Sequence, residues 1–324
     1  PKFLLRCCEV LRLGTGMPAM FNADSMVLGM VNRGKSLSDA RASSLNGCVA
    51  TFCDGRDRMA STGYFNLAKA LELALNNGVD RLTGEPLGPA TGDPRNFADF
   101  DEVMAAFRKQ VEHFVALKVR YDDTVRDIYA RHCPVPFTSA VIDDCIATGT
   151  DWHAGGSHYK IATMSGVAVG TVTDALSGIR KHVFTDRRFS MAELVDALDR
   201  NWEGREEVRR VLAHKTPQYG NDDDAADALA VQVQEIFCSA VERHTDIQGA
   251  KYWVDLLPTT SHIALGALTG ATPDGRRAKE WLSEGVSPVQ GHDRNGPTAS
   301  TRSVAKLDHA RTNGTLLNIK INPQ

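Results

Sequence analysis

Between Asp99 and Pro134, Val103, Phe107, Val111, Phe114, Leu117 and Tyr121 recur three or four positions apart. That period predicts one long amphipathic helix. Asp99 and Glu102 have the spacing of a capping box at its start, and Pro134 stops it. A second helical face runs through Tyr64, Leu67, Ala68, Leu71, Ala74 and Leu75, with Ser61 or Thr62 as its cap and Gly78 at its end. Next comes TGEPLGPATGDPRN, a polar surface loop. Further helical patterns cover roughly 136–148, 165–183, 190–213 and 224–246. Shorter runs read as strands: DSMVLGMV near 24–31, KYWVDLL at 251–257, and LLNIKIN, where Leu317, Ile319 and Ile321 alternate with polar residues. Helices interleaved with a few strands predict an α/β fold. No internal repeat, low-complexity tract or domain boundary is visible.

The chain has 324 residues, enough for one large domain or two ordinary ones. Its net charge of −3 argues against a general nucleic-acid or anionic-membrane surface. No apolar run is long enough to span a bilayer, and no leader opens the chain. Seven cysteines in so long a chain do not form a disulfide scaffold, and they suit a reducing cytoplasm. The chain begins at Pro1 and stops at Gln324 just after a strand pattern, as a fragment would.

Two of the cysteines share the stretch SLNGCVATFCDG. Cys48 and Cys53 lack the further soft ligands that a zinc site requires, so no metal is expected. Cys133, Cys145 and Cys238 lie in or beside helical patterns and read as small buried hydrophobes. Cys48 differs, because Asn46 and Gly47 before it favour a tight turn. A turn would put the sulfur at a loop tip, a reasonable seat for a reactive thiol.

The C-terminal third is rich in glycine and turn residues yet specific. It holds TPDGRRA at 272–278, LSEGVSPVQG at 282–291, DRNGPTA at 293–299, SVAKLDH at 303–309 and NGTLLN at 313–318. PQYGNDDDAAD at 217–227 and DWHAGGSHYK at 151–160 complete the set, with Ser157 where alanine is usual. These blocks, in this order, resemble the glycyl radical enzymes, the family containing pyruvate formate-lyase. The resemblance implies an α/β fold in which 1–324 is part of a ten-stranded barrel surrounded by helices. The N-terminal part of the barrel and the C-terminal glycyl radical domain would lie outside it. It implies that Cys48 stands at the tip of a loop inside the barrel and becomes the thiyl radical that takes hydrogen from substrate. It implies no bound cofactor. The unpaired electron would come from a glycine in an Arg-Val-x-Gly-Tyr/Trp context, a motif this sequence lacks, installed by a radical SAM iron–sulfur activating enzyme. Gly63-Tyr64 has the dipeptide in the wrong place.

Subgroup features are also legible. Many members that eliminate water, an amine or sulfite, and several decarboxylases, carry Gly-Cys-Val-Glu, whereas this chain reads Gly47-Cys48-Val49-Ala50. Ala50 cannot do acid–base work. The adjacent cysteines of pyruvate formate-lyase are missing, since Val49 follows Cys48. The stretch RMAS at 58–61 resembles the fumarate-adding benzylsuccinate and alkylsuccinate synthases. There Arg58 would bind a fumarate carboxylate; the alternative is an ion pair with Asp54 or Asp57. By this resemblance the Cys48 thiyl would activate a hydrocarbon C–H, whose carbon radical adds to fumarate and gives a substituted succinate. Trp152 and His262 become candidate substrate-binding residues, against plain core packing and a satisfied core imidazole. Implied partners are the hydrocarbon, fumarate, the activating enzyme, small accessory subunits and further copies of the chain. The alternatives are a decarboxylase or dehydratase/lyase with an atypical site, and a non-catalytic barrel subunit.

Overall fold

The computed structural model describes residues 2–14 and 17–320, with the backbone alone at 59–62. Four parallel strands form its sheet in the order β3 (Asp57–Asn66), β4 (Tyr159–Val167), β5 (Lys251–Leu256) and β6 (Thr312–Thr315). Helices connect them, as parallel pairing requires. A separate hairpin pairs β1 (Ser44–Asn46) with β2 (Ala50–Phe52).

Alternation along the strands separates the two faces of the sheet. Ala162, Met164, Tyr252, Val254 and Leu256 join the main apolar core, packed under the helices Leu67–Ala74, Phe100–His132, Val169–Ile179 and Asp224–Glu242. The opposite face carries Thr163, Ser165, Trp253, Asp255 and Asn313, all buried. The polar face is where the hairpin sits.

The long helix spans Phe100–His132. The Asp99 carboxylate accepts from the Glu102 amide (3.0 Å), while Glu102 caps the amide of Ala98 (2.7 Å). Its buried stripe follows Val103, Phe107, Val111, Val115 and Val119, so Leu117 and Tyr121 stay exposed. Spacing of 3.6 residues carries the inward face past them.

Several expected elements are corrected. The run 24–31 is helical, within Ala23–Asn32, because the Asn22 side chain caps the Ser25 amide (3.2 Å). A short apolar run does not by itself distinguish strand from helix. The helix expected from Ser61 or Thr62 begins at Leu67, capped by Asn66 onto the Lys69 amide (3.0 Å). The residues before it form β3; the side chains of Ser61 and Thr62 lie outside the described residues. Strand β4 occupies the start of the pattern read as helix from 165. The last strand is Thr312–Thr315, ahead of the expected LLNIKIN; Ile321 and Asn322 lie outside the described residues.

Candidate active site

The hairpin closes through Gly47, Cys48 and Val49, with Asn46 paired to Ala50. Gly47 takes φ +64°, a left-handed conformation that glycine adopts without strain. Cys48 is exposed at this tip.

Both ends of the hairpin are fixed to the sheet. At the tip, the Val49 carbonyl lies over Gly314 of β6, so close that a Cβ there would come within 2.4 Å of it. Beside that contact the Thr51 hydroxyl donates to Asn313 Oδ1 (2.6 Å). At the base, Asp57 Oδ2 accepts from the Cys53 amide (2.5 Å) and from Lys35 Nζ (2.5 Å). The Lys35 and Asp57 side chains are 2% and 0% exposed. Burial raises the Asp57 pKa, and the Lys35 ammonium acts against that. The ammonium also lies over the rings of Tyr159 and Trp253, at 5.4 and 5.6 Å from their centroids.

The two cysteines therefore differ in kind. Cys53 is buried with Met30 and Ala40, its sulfur 3.5 Å from Lys35 Nζ. Burial pushes its thiol pKa up, which keeps it protonated and unreactive. No group of side chains among the described residues could hold a metal ion.

The other expected site residues separate into two places. Arg58 is buried at the N-terminal end of β3, where Nη2 donates to Asp246 (2.7 Å) and Nη1 contacts Gln248. Arg126 shares Asp246 (3.1 Å). Arg58 thus has an ion-pair geometry, but with Asp246 in place of Asp54 or Asp57. Trp152 stands at the same end, its indole Nε1 donating to the Asp57 carbonyl (3.4 Å). His262 lies at the opposite end of the sheet, on the helix Ser261–Ala267 that follows β5. Its Nε2 is 3.4 Å from Glu284 Oε1. Close by, the Tyr64 and Thr259 hydroxyls are 2.6 Å apart at the C-terminal ends of β3 and β5.

Sequence reasoning missed Lys35, Asp57, Asp255, Asn313 and Gly314. Asp255 had a signal, a lone carboxyl inside an apolar strand pattern. It is 3% exposed on the polar face, and burial pushes its pKa up to about 7. The Asn313-Gly314 pair was visible only as part of a motif.

The motif blocks of the C-terminal third fasten one another. Asn221 takes the amides of Arg294 (2.8 Å) and Asn295 (3.1 Å) and donates to the His292 carbonyl (2.8 Å). Tyr219 donates to the Val286 carbonyl (3.0 Å). In TPDGRRA, Thr272 donates to Asp274 (2.6 Å) and Arg276 to Thr272 (3.1 Å).

A hairpin with an exposed cysteine at its tip lies on the polar face of a parallel α/β sheet, and the comparisons with known proteins place that fold in a family. The chain belongs to the pyruvate formate lyase-like family, which it matches over residues 1–266; residues 282–324 match the glycine radical family. It is 43% identical to the trans-4-hydroxy-L-proline dehydratase of Clostridioides difficile, over 99% of this chain and 41% of that protein. It is 34% identical to the isethionate sulfite-lyase of Oleidesulfovibrio alaskensis, over 100% of this chain and 40% of the other. The structure of the C. difficile hydroxyproline dehydratase with trans-4-hydroxy-L-proline bound superposes with a TM-score of 0.95, over 98% of this chain and 40% of that one. The B12-independent glycerol dehydratase of Clostridium butyricum, at 36% identity, gives 0.94 over 98% of this chain and 40% of its own. The chain thus spans about two fifths of the length of these relatives, and its parallel sheet with surrounding helices is part of the glycyl radical enzyme barrel.

These relatives bear on one expectation. They are dehydratases and a lyase, and none of them is a fumarate-adding synthase, so the hydrocarbon and fumarate reading has no support from them. Ala50 had pointed away from the eliminating members.

Proposed function

We propose that this chain is the cysteine-bearing portion of a glycyl radical lyase that eliminates a leaving group, such as water, from a small polar substrate. The observation that carries the reading is the exposed Cys48 at a tip fixed at both ends, with Cys53 buried and inert below. The radical glycine of the whole protein supplies the unpaired electron. The Cys48 thiyl takes a hydrogen atom from a substrate carbon, forming S–H. The substrate radical then loses the leaving group from the neighbouring carbon together with a proton. Cys48 returns its hydrogen atom to the product radical and is a thiyl again. Holding the sulfur against one carbon and excluding water is the protein's part.

The dehydratase and lyase relatives support elimination. Fumarate addition remains as a second reading because of Ala50: that cycle moves no proton, and position 50 has no group to move one.

The test uses the full-length protein, activated without oxygen. Supplied separately with trans-4-hydroxy-L-proline, glycerol, isethionate, or toluene plus fumarate, it should give an elimination product from one of the first three. A substituted succinate from the last would overturn the proposal, and so would the lack of a glycyl doublet in electron paramagnetic resonance.

A further inference from the structure

We propose that Asp255 is a positioning residue for Cys48, seating the cysteine hairpin on β6 through Asn313 and Thr51. This rests on the reading of Cys48 as the working sulfur. Three independent features of the sheet point to it.

The first is register. Asp255 pairs with Gly314, the residue on which the Val49 carbonyl rests. Its carboxyl is therefore beside the hairpin tip, on the polar face. The second is a bulge. Val254 pairs with Thr312 and Asp255 with Gly314, so Asn313 has no partner residue in the ladder. A bulge re-aims the side chain it frees. Asn313 Oδ1 accepts from Thr51, and the Asn313 side chain is also hydrogen-bonded to the Asp255 carboxyl. One amide thus spans from the carboxyl to the strand that follows Cys48. The third is that, among the described residues, no counter-ion stands at hydrogen-bonding range. Thr163 and Ser165 face the carboxyl from β4 and Asn313 from β6, all neutral. Arg33, just past the end of the helix Ala23–Asn32, acts only through charge; it lies over Trp253 and donates to the carbonyls of Gly29 and Ala310. Lys35 is paired with Asp57. The hairpin itself carries one titratable group, Cys48, exposed at its tip.

A buried carboxyl without a cation keeps its proton until high pH. The pKa near 7 means that Asp255 is neutral in mildly acidic solution and ionises as the pH rises through neutrality. Ionisation leaves a buried charge with only neutral donors. Its Oδ1 has no hydrogen-bond partner among the described residues, so part of that charge is wholly unmet. To meet that charge the neutral donors around it must rearrange, and the Asn313 side chain that seats the hairpin moves with them, shifting the sulfur relative to the carbon it must attack.

The test again uses the full-length, activated enzyme and its own eliminated substrate. Asp255→Leu should keep the glycyl doublet and a near-normal KM while kcat falls about 100-fold, the scale of a 1 Å misplacement. The parent's kcat should fall between about pH 6 and pH 8, and Asp255→Asn, which keeps shape and polarity but does not ionise, should turn over and lack that fall. Thr51→Val removes a single hydroxyl with little change of shape; it should lower kcat with the doublet intact, whatever happens to the folding of the leucine variant. The proposal is overturned if Thr51→Val leaves kcat unaltered, or if Asp255→Asn shows the parent's pH profile. Failure of the Cys48 reading looks different: Cys48→Ala would then retain turnover.

Discussion

At the scale of single residues, the two neighbouring cysteines have opposite fates. Cys48→Ala should abolish turnover in the full-length enzyme and leave the glycyl doublet in place, while Cys53→Ala should retain turnover. Product assays beside the resonance spectrum check both, and the reverse pattern would reassign the working sulfur. Asp57 has a structural task. Asp57→Ala would strand the Lys35 ammonium, which is 2% exposed. Removing one partner of a buried pair costs roughly 3–5 kcal/mol. The expected outcome is a lowered unfolding midpoint in denaturant. Arg58 shows where residue-level reading runs out. The motif around it made a substrate carboxylate or a neighbouring aspartate its natural partner. The observed partner, Asp246, stands 188 positions away, and no spacing rule reaches that far. The turn before Cys48 was legible because its cause is local: Asn46-Gly47 favours a turn, and Gly47 takes the positive φ.

At the scale of elements, the hairpin depends on a glycine in another strand. Gly314→Ala would place a methyl within 2.4 Å of the Val49 carbonyl, a backbone atom that cannot yield without moving the tip. The variant should fold and take up the radical, yet lose most of its kcat; a variant with unimpaired kcat would show that the tip is not held there. The long helix was readable from its caps and period, whereas β3 and β4 were not. Their faces explain why. Strand β4 is buried from Ile161 to Val167, so its small residues show no contrast between inside and outside. Gly166 meets the ring of Phe237, and a Cβ there would come within 2.6 Å of it. Such a run of Ala, Ser, Gly and Val also suits a buried helix, and only the tertiary neighbours decide.

At the scale of the whole molecule, the motifs that revealed the family turned out to be largely joinery. Asn221, Tyr219, Thr272 and Arg276 bind loops to one another away from Cys48, so recognising the blocks located the fold more securely than the chemistry. The buried acids also set how stability responds to pH. Asp255 and Asp174 are pushed up to about 7 and about 6 by burial, and His292 beside Asp174 is raised by its hydrogen bond to that carboxyl. A group with a raised folded pKa adds stability at low pH, and that stability is lost as pH climbs through the raised value. Carboxylates such as Asp39 and Asp196, held down by hydrogen bonds, act oppositely but only near their own low range. His182 and His244, held below the usual imidazole range by burial, act the other way near pH 6, so the Asp255 contribution is read by difference: Asp255→Asn should raise the melting temperature at pH 8 relative to its value at pH 6, compared with the parent. The clamp between Thr51 and Asn313 also bears on how such a protein is made. Those residues are separated by 262 positions, so a chain leaving the ribosome exposes its cysteine long before the strand that steadies it exists. The hairpin that carries Cys48 can be seated only after nearly all of this segment has been synthesised and β6 has paired, so the proposed site waits on completion of the sheet.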